Sequence, residues 1–145
     1  MARYSAGAKT TAGSTALPII SLYAAVGSGG TLRAVGLTNT TSTSVELKLV
    51  RLTSQGTPGA GLTEGKHNYN SGPALCTAFT THSANPGLGD DLGYRWKLGA
   101  AEGGGIIETF GDTGLMILAG TANGIGVIVD TGTGQPIEAY LVWDE

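Results

Sequence analysis

The last third of the chain, GGIIETFGDTGLMILAGTANGIGVIVDTGTGQPIEAYLVWDE from Gly104 to Glu145, constrains the fold most severely. It holds four apolar runs, Ile106–Phe110, Leu115–Ala119, Ile125–Val129 and Ile137–Trp143, each bounded by Gly, Asp, Asn, Thr or Pro. Short runs rich in β-branched and aromatic residues, with turn residues every 8–12 positions or so, read as strands of an antiparallel sandwich or barrel. None of them is long enough for an amphipathic helix.

The same texture continues upstream. Leu17–Val26 reads as a strand, with Pro18 tolerated near its start or on an edge. Leu32–Thr38 and Val45–Leu52 read as a hairpin across residues 39–44. In the second of these, Val45, Leu47 and Leu49 alternate with Glu46 and Lys48, so one face belongs to a core and the other to water. Ala74–Thr81 and Tyr94–Ala100 complete the set, the latter with Tyr94, Trp96 and Leu98 on one face. Asp112-Thr113-Gly114 and Ala122-Asn123-Gly124 read as tight turns. Residues 53–73 lack periodicity and are longer than ordinary connections, which marks them as a binding or contact loop. Residues 82–93 read as a second loop. The opening MARYSAGAKTTAGST is small and polar, and is expected to be an arm that orders on a neighbouring subunit. The expected architecture is all-β: a single-domain antiparallel β-sandwich or jelly-roll of roughly nine strands. It has an extended N-terminal arm over residues 1–15, and a sandwich over 16–145 with a long loop at 53–73.

A chain of 145 residues can bury about 70% of its unfolded surface, so it supports a real core. Apolar residues make up 41% and fall in strand-length runs, so the 25 glycines punctuate a folded domain rather than a linker. Charged residues are only 13%, and so bare a surface suggests that neighbours cover part of it. The net charge of −3 hides an asymmetry. Residues 1–45 carry Arg3, Lys9 and Arg33 and no acid, whereas residues 98–145 carry seven acids and no Lys or Arg. Complementary ends of this kind suit contact with an adjacent subunit. The basic content is too thin for nucleic acid. No stretch reaches the ~18 apolar residues of a membrane span. The first residues do not read as a signal peptide, so synthesis and folding in a reducing cytoplasm are expected. Cys76 is the only cysteine, within ALCTAF, and reads as a small buried hydrophobe.

Residues able to do chemistry are few. His67 and His82 are the only histidines, and with Cys76 their spacing fits neither a nucleophile–base pair nor a zinc site. Asp90-Asp91 near Asn85 offer oxygens for Ca²⁺ but not in the order of an EF-hand loop, so capping of their own loop is the simpler reading. Gly124-Ile125-Gly126 and Gly132-Thr133-Gly134 are followed by strand residues, and so are turn glycines rather than phosphate loops. Glu102, Glu108 and Asp112 could flank a glycosidic bond only with an aromatic platform around them. Among the aromatics, Tyr69 in the long loop is expected to be exposed. No catalytic constellation emerges, and no enzyme activity, cofactor or metal is expected.

Five stretches, MARYSAG, RLTSQGTPGAGLTEGKHN, GDDLGYRWKLGAA, ETFGDTGLMI and GIGVIVDTGTGQPIEAYLVWDE, give the chain an overall pattern that resembles small virion proteins of tailed bacteriophages and related prophages. The resemblance spans nearly the whole chain, and no single motif in it is diagnostic. It implies a structural protein made in the bacterial host cytoplasm and carried on the virion. Within that group it implies a capsid decoration (cement) protein that binds the major capsid protein. A tail- or head-associated receptor- or carbohydrate-binding β module is the alternative. Self-association into a small symmetric homo-oligomer is expected, since a closed ring multiplies weak contacts. The candidate interface residues are Arg3, Tyr4 and Lys9 in the arm, Leu62, His67 and Tyr69 in the long loop, and Asp144 and Glu145 at the acidic end.

Overall fold

The computed structural model describes residues Met1–Glu145. Eleven strands follow one another with no helix: β1 (Arg3–Lys9), β2 (Ile20–Tyr23), β3 (Gly30–Asn39), β4 (Val45–Leu52), β5 (Gly65–Lys66), β6 (Thr77–Phe79), β7 (Leu88–Leu98), β8 (Gly105–Thr109), β9 (Leu115–Ile117), β10 (Gly124–Thr131) and β11 (Ile137–Asp144). They form two antiparallel sheets. The first has the order β5-β1-β11-β3-β8, with β9 following β8 along the same edge of β3. The second has the order β6-β2-β10-β4-β7.

No strand pairs with its sequence neighbour. The chain instead passes back and forth between the sheets. Its central strands take the orders β1-β11-β3-β8 and β2-β10-β4-β7, which is the winding of a jelly roll. The hairpin expected between Leu32–Thr38 and Val45–Leu52 is therefore an arch between sheets. Asn39 shows why the chain turns inward here rather than folding back. Its buried Nδ2 donates to the carbonyls of Thr43 (2.7 Å) and Gly99 (2.8 Å), while its Oδ1 accepts from the Thr41 amide. The arch also lets Leu32, Val35 and Leu37 face Val45, Leu47 and Leu49 across the sandwich, all within one core of 25 buried residues. Each large side chain buried there contributes about 1.5–3 kcal/mol.

The first fifteen residues are not the arm that their composition suggests. Arg3 to Lys9 run antiparallel to β11 along their whole length, from Arg3↔Asp144 to Lys9↔Glu138. The physical reason is a quiet period of two: Tyr4 and Ala6 are buried in the core, while Arg3, Gly7 and Lys9 face outward. The long loop is likewise docked. Its first part packs across the outer face of the second sheet, where Tyr23, Val50, Leu52 and Ile128 form a separate buried cluster. The Tyr23 hydroxyl donates to the Ser54 carbonyl, and Thr57 and Gly61 bridge to Ala84 and Phe79. Gly65 and Lys66 then pair with β1. The expected loop over residues 82–93 ends early, because β7 already begins at Leu88 as a largely exposed edge strand. Its GDDLG stretch keeps irregular register with β4, a device that blunts sheet edges.

Each sheet inserts one charged residue at a bulge. Arg33 falls between the pairs Leu32↔Trp143 and Ala34↔Val142, opposite the break that separates β8 from β9. Asp130 falls between Val129↔Leu47 and Thr131↔Glu46. Bulges re-aim a side chain, and both residues are aimed at ion pairs, Arg33 at Asp144 and Asp130 at Lys48 and Arg95.

Two outcomes follow from this winding. Deleting residues 1–9 removes Tyr4 and Ala6 from the core and strips β11 of a partner, so the truncated chain is expected to lose its cooperative thermal transition; Tyr4→Ala alone should cost about 3 kcal/mol in denaturant titration. Because every pairing is non-local, stopped-flow refolding is expected in the range of about milliseconds to seconds rather than microseconds.

Candidate interaction surface

The structure gathers most of the expected interface residues at one place, but within the chain. Asp144 on β11 is buried and receives Arg3 from β1 (Nε to Oδ1 2.7 Å, second nitrogen to Oδ2 2.9 Å) and Arg33 from β3 (Nε to Oδ2 2.6 Å). Arg33 also donates to the carbonyls of Gly111 and Asp112, holding the excursion between β8 and β9. The basic beginning and acidic end of the sequence thus meet each other. Tyr4 is a core residue: its ring stacks on Trp143 at 5.9 Å and its hydroxyl donates to the Gly72 carbonyl. Glu145 accepts from the amides of Leu75 (2.6 Å) and Cys76 (2.8 Å). Leu62 is half-buried against the core. Lys9, His67 and Tyr69 remain exposed, Tyr69 at 94%.

Chemistry-bearing side chains have structural surroundings. His82 is buried with Nε2 2.9 Å from the Ser21 hydroxyl, a pair that resembles a nucleophile and base, but Ser21 has no exposed surface for a substrate. Burial lowers the His82 pKa below its usual 6.5, only partly offset by the backbone of Gln55. Cys76 is buried and its thiol is pushed up to about 12, first by burial and then by Glu145, which leaves it unreactive. Asp91 accepts from the Gly93 amide and Arg95 and forms a longer ion pair with Lys48, in a network with Asp130 on the outer face of the second sheet. No group of three or more His, Cys, Asp or Glu side chains is placed to hold a metal ion. The three carboxylates weighed for glycoside chemistry have different surroundings. Glu108 accepts from the Trp96 indole (3.3 Å), Glu102 is exposed in a turn, and Asp112 lines a hollow with Arg3 and Arg33.

What the sequence did not single out is an apolar end. The β2–β3 turn, the start of the long loop, residues 75–77, the β9–β10 connection and both chain termini converge there. Val26 (81% exposed), Leu75, Met116, Leu118 (68%) and Met1 all project from it. The pieces touch. The Gly120 amide donates to the Ala25 carbonyl, and a side chain at Gly29 would collide with the Ile117 carbonyl. Met1, Met116 and Leu118 share the rim of one hollow, and Val26 and Leu75 that of another of about 560 Å³. The sequence signal existed: Met116 and Leu118 sit at outward positions of the run LMILA, and Val26 closes the apolar run Leu17–Val26 just before the glycines.

Two variants test the buried charges. With Asp144→Ala, Arg33 keeps a nearly buried charge without its carboxylate; Arg3 is half exposed and loses little. A cost of about 2–3 kcal/mol is expected in denaturant titration. His82 gives a pH signature. Its folded pKa lies below the unfolded 6.5, so the unfolded chain takes up the proton first as pH falls. Stability is full above pH 6.5 and declines below it, a slope expected to vanish in His82→Gln. The carboxylate of Asp144, held below 3.8 chiefly by the hydrogen bond from Arg3, contributes above pH 3.8 and fades only at more acid pH, so the two slopes separate. In comparison with known proteins, no family model matches this chain, and neither a curated protein nor a solved structure matches it.

Proposed function

We propose that this chain is a structural protein of a tailed-phage particle, a decoration protein that docks on the outside of the capsid and stabilises it without catalysing a reaction. The observation that carries the reading is the apolar end. Exposed apolar side chains scattered singly over a surface need no explanation, whereas a group at one end indicates a contact site. Val26, Leu75, Met116 and Leu118 form such a group, with Arg51 and the chain termini beside it. The overall pattern of the sequence, which resembles small phage virion proteins, supports the particle as the setting. The jelly-roll winding supports it less directly, because folds of this kind serve both coats and binding modules.

In this reading the contact to the major capsid protein is made by the apolar end rather than by an N-terminal arm. Met116 and Leu118 enter gaps on the shell, and the hollows beside them accept shell side chains. Many weak copies then act together, since a particle presents the same site at every symmetry-related position.

The test is copy number. Particles purified from the producing culture are expected to carry this protein at a number comparable to the shell protein, as read by quantitative mass spectrometry. A few copies per particle would move it to the tail or neck and favour a receptor- or carbohydrate-binding module, and its absence from particles would end the proposal. Leu118→Asp and Met116→Asp, both at exposed positions, are expected to leave melting unchanged and to weaken coating of stripped particles by at least about tenfold each.

A further inference from the structure

We infer that the outer face of the first sheet is a self-association surface, on which one copy of this chain packs against a second copy. The two outer faces of the sandwich differ in kind. On the second sheet, Glu46, Lys48, Arg95, Lys97 and Asp130 form a solvated ion-pair network. On the first sheet, one row across β1, β11, β3 and β8 reads Gly7, Tyr140, Gly36 and Ile107. The next row reads Ser5, Val142, Ala34 and Thr109.

The ring of Tyr140 lies over Gly36, where any side chain would strike its Cε1 at 1.9 Å. With its ring lying there, even the largest side chain of the face adds little relief. Ile107 beside it is 70% exposed. A hollow flanks Ile107 on the Thr38–Gly105 side, and another lies by Ala34 and Thr109. Knob and hollows on a single face meet what an isologous contact requires, since the same patch must serve both partners. The charges at the margins balance: Lys9 is across from Glu138, Arg3 and Arg33 are on Asp144, and Asp112 lines the same hollow as the two arginines, three basic groups against three acidic ones. Two such faces therefore meet without net repulsion.

Size decides the strength. A sheet five strands wide, at about 4.8 Å per strand and about 3.4 Å per residue over seven residues, presents roughly 580 Å². Two faces bury roughly 1,150 Å², at the lower margin of specific interfaces. A reversible contact of micromolar class follows, weak in solution and sufficient between neighbours already seated on a shell. The inference rests on the particle-coat reading for its purpose, but the contact itself is measurable without particles.

The experiment is sedimentation equilibrium of the isolated protein across a dilution series, with Ile107→Lys and Thr109→Lys on the face and Leu118→Asp at the apolar end as the control. Wild type and Leu118→Asp are expected to form a dimer that dissociates on dilution, and the two face variants to stay monomeric with unchanged melting temperature. A wild type that is monomeric at the highest concentration overturns the inference. So does a dimer that survives both face substitutions, and so does one lost only in Leu118→Asp, which would assign self-association to the apolar end. A protein that dimerises as expected yet never appears on particles overturns the proposed function and leaves this surface standing.

Discussion

The structure hangs on one carboxylate. Asp144 is buried at the end of the last strand, and its two oxygens accept from the first strand through Arg3 and from the third through Arg33. An isolated buried charge would be strongly unfavourable, whereas a charge shared by two guanidiniums with well-aligned hydrogen bonds is tolerated and fixes geometry. The geometry fixed here is the order β1-β11-β3, the middle of the first sheet. Arg33 can reach Asp144 because a bulge presents it there, and the same guanidinium holds the excursion that splits β8 from β9. One interaction thereby ties three strands, the excursion between β8 and β9, and both chain ends.

From this frame the apolar end takes its position. Met1 and Glu145 are held side by side by the paired backbones of Ala2 and Glu145, and the Glu145 carboxylate receives the amides of residues 75 and 76. Leu75 is thereby presented outward beside Glu145, which lines one hollow with Met116 and Leu118. The apolar end is built on backbone that the core already holds.

The sequence made the strands legible and the winding illegible. The runs at 45–52, 125–129 and 137–143 announce themselves because their inward residues are nearly all large and apolar, and they lie within strands of the structure. The first strand is quieter: Ala6 and Gly7 give little contrast between faces, so RYSAGAK resembles a polar tail even though it obeys a period of two. The arch at 39–44 looked like a hairpin because a polar connection suits either. What distinguishes them is whether Asn39 finds buried carbonyls, and one of those belongs to Gly99, sixty positions away. The charge asymmetry was visible, and its partner was misassigned for the same reason: sequence gives the signs of Arg3 and Asp144, while their adjacency comes from topology. The apolar end is a composite of six segments, none of which is conspicuous alone.

That no strand pairs with its neighbour also bears on how the chain is made. The strand at the centre of the first sheet comes later in the chain than every strand it joins. Until Ile137–Asp144 emerges, β1 and β3 have no common partner, and Arg3 and Arg33 have no carboxylate between them. A chain without β11 therefore has no half-built first sheet to rest in, and the sandwich closes only once that strand is available. A product cut short by eight or nine residues has no centre to its first sheet. Completion of the sandwich is thereby written into the order of the strands: without β11, neither β1 nor β3 has the partner that sets its place in the sheet.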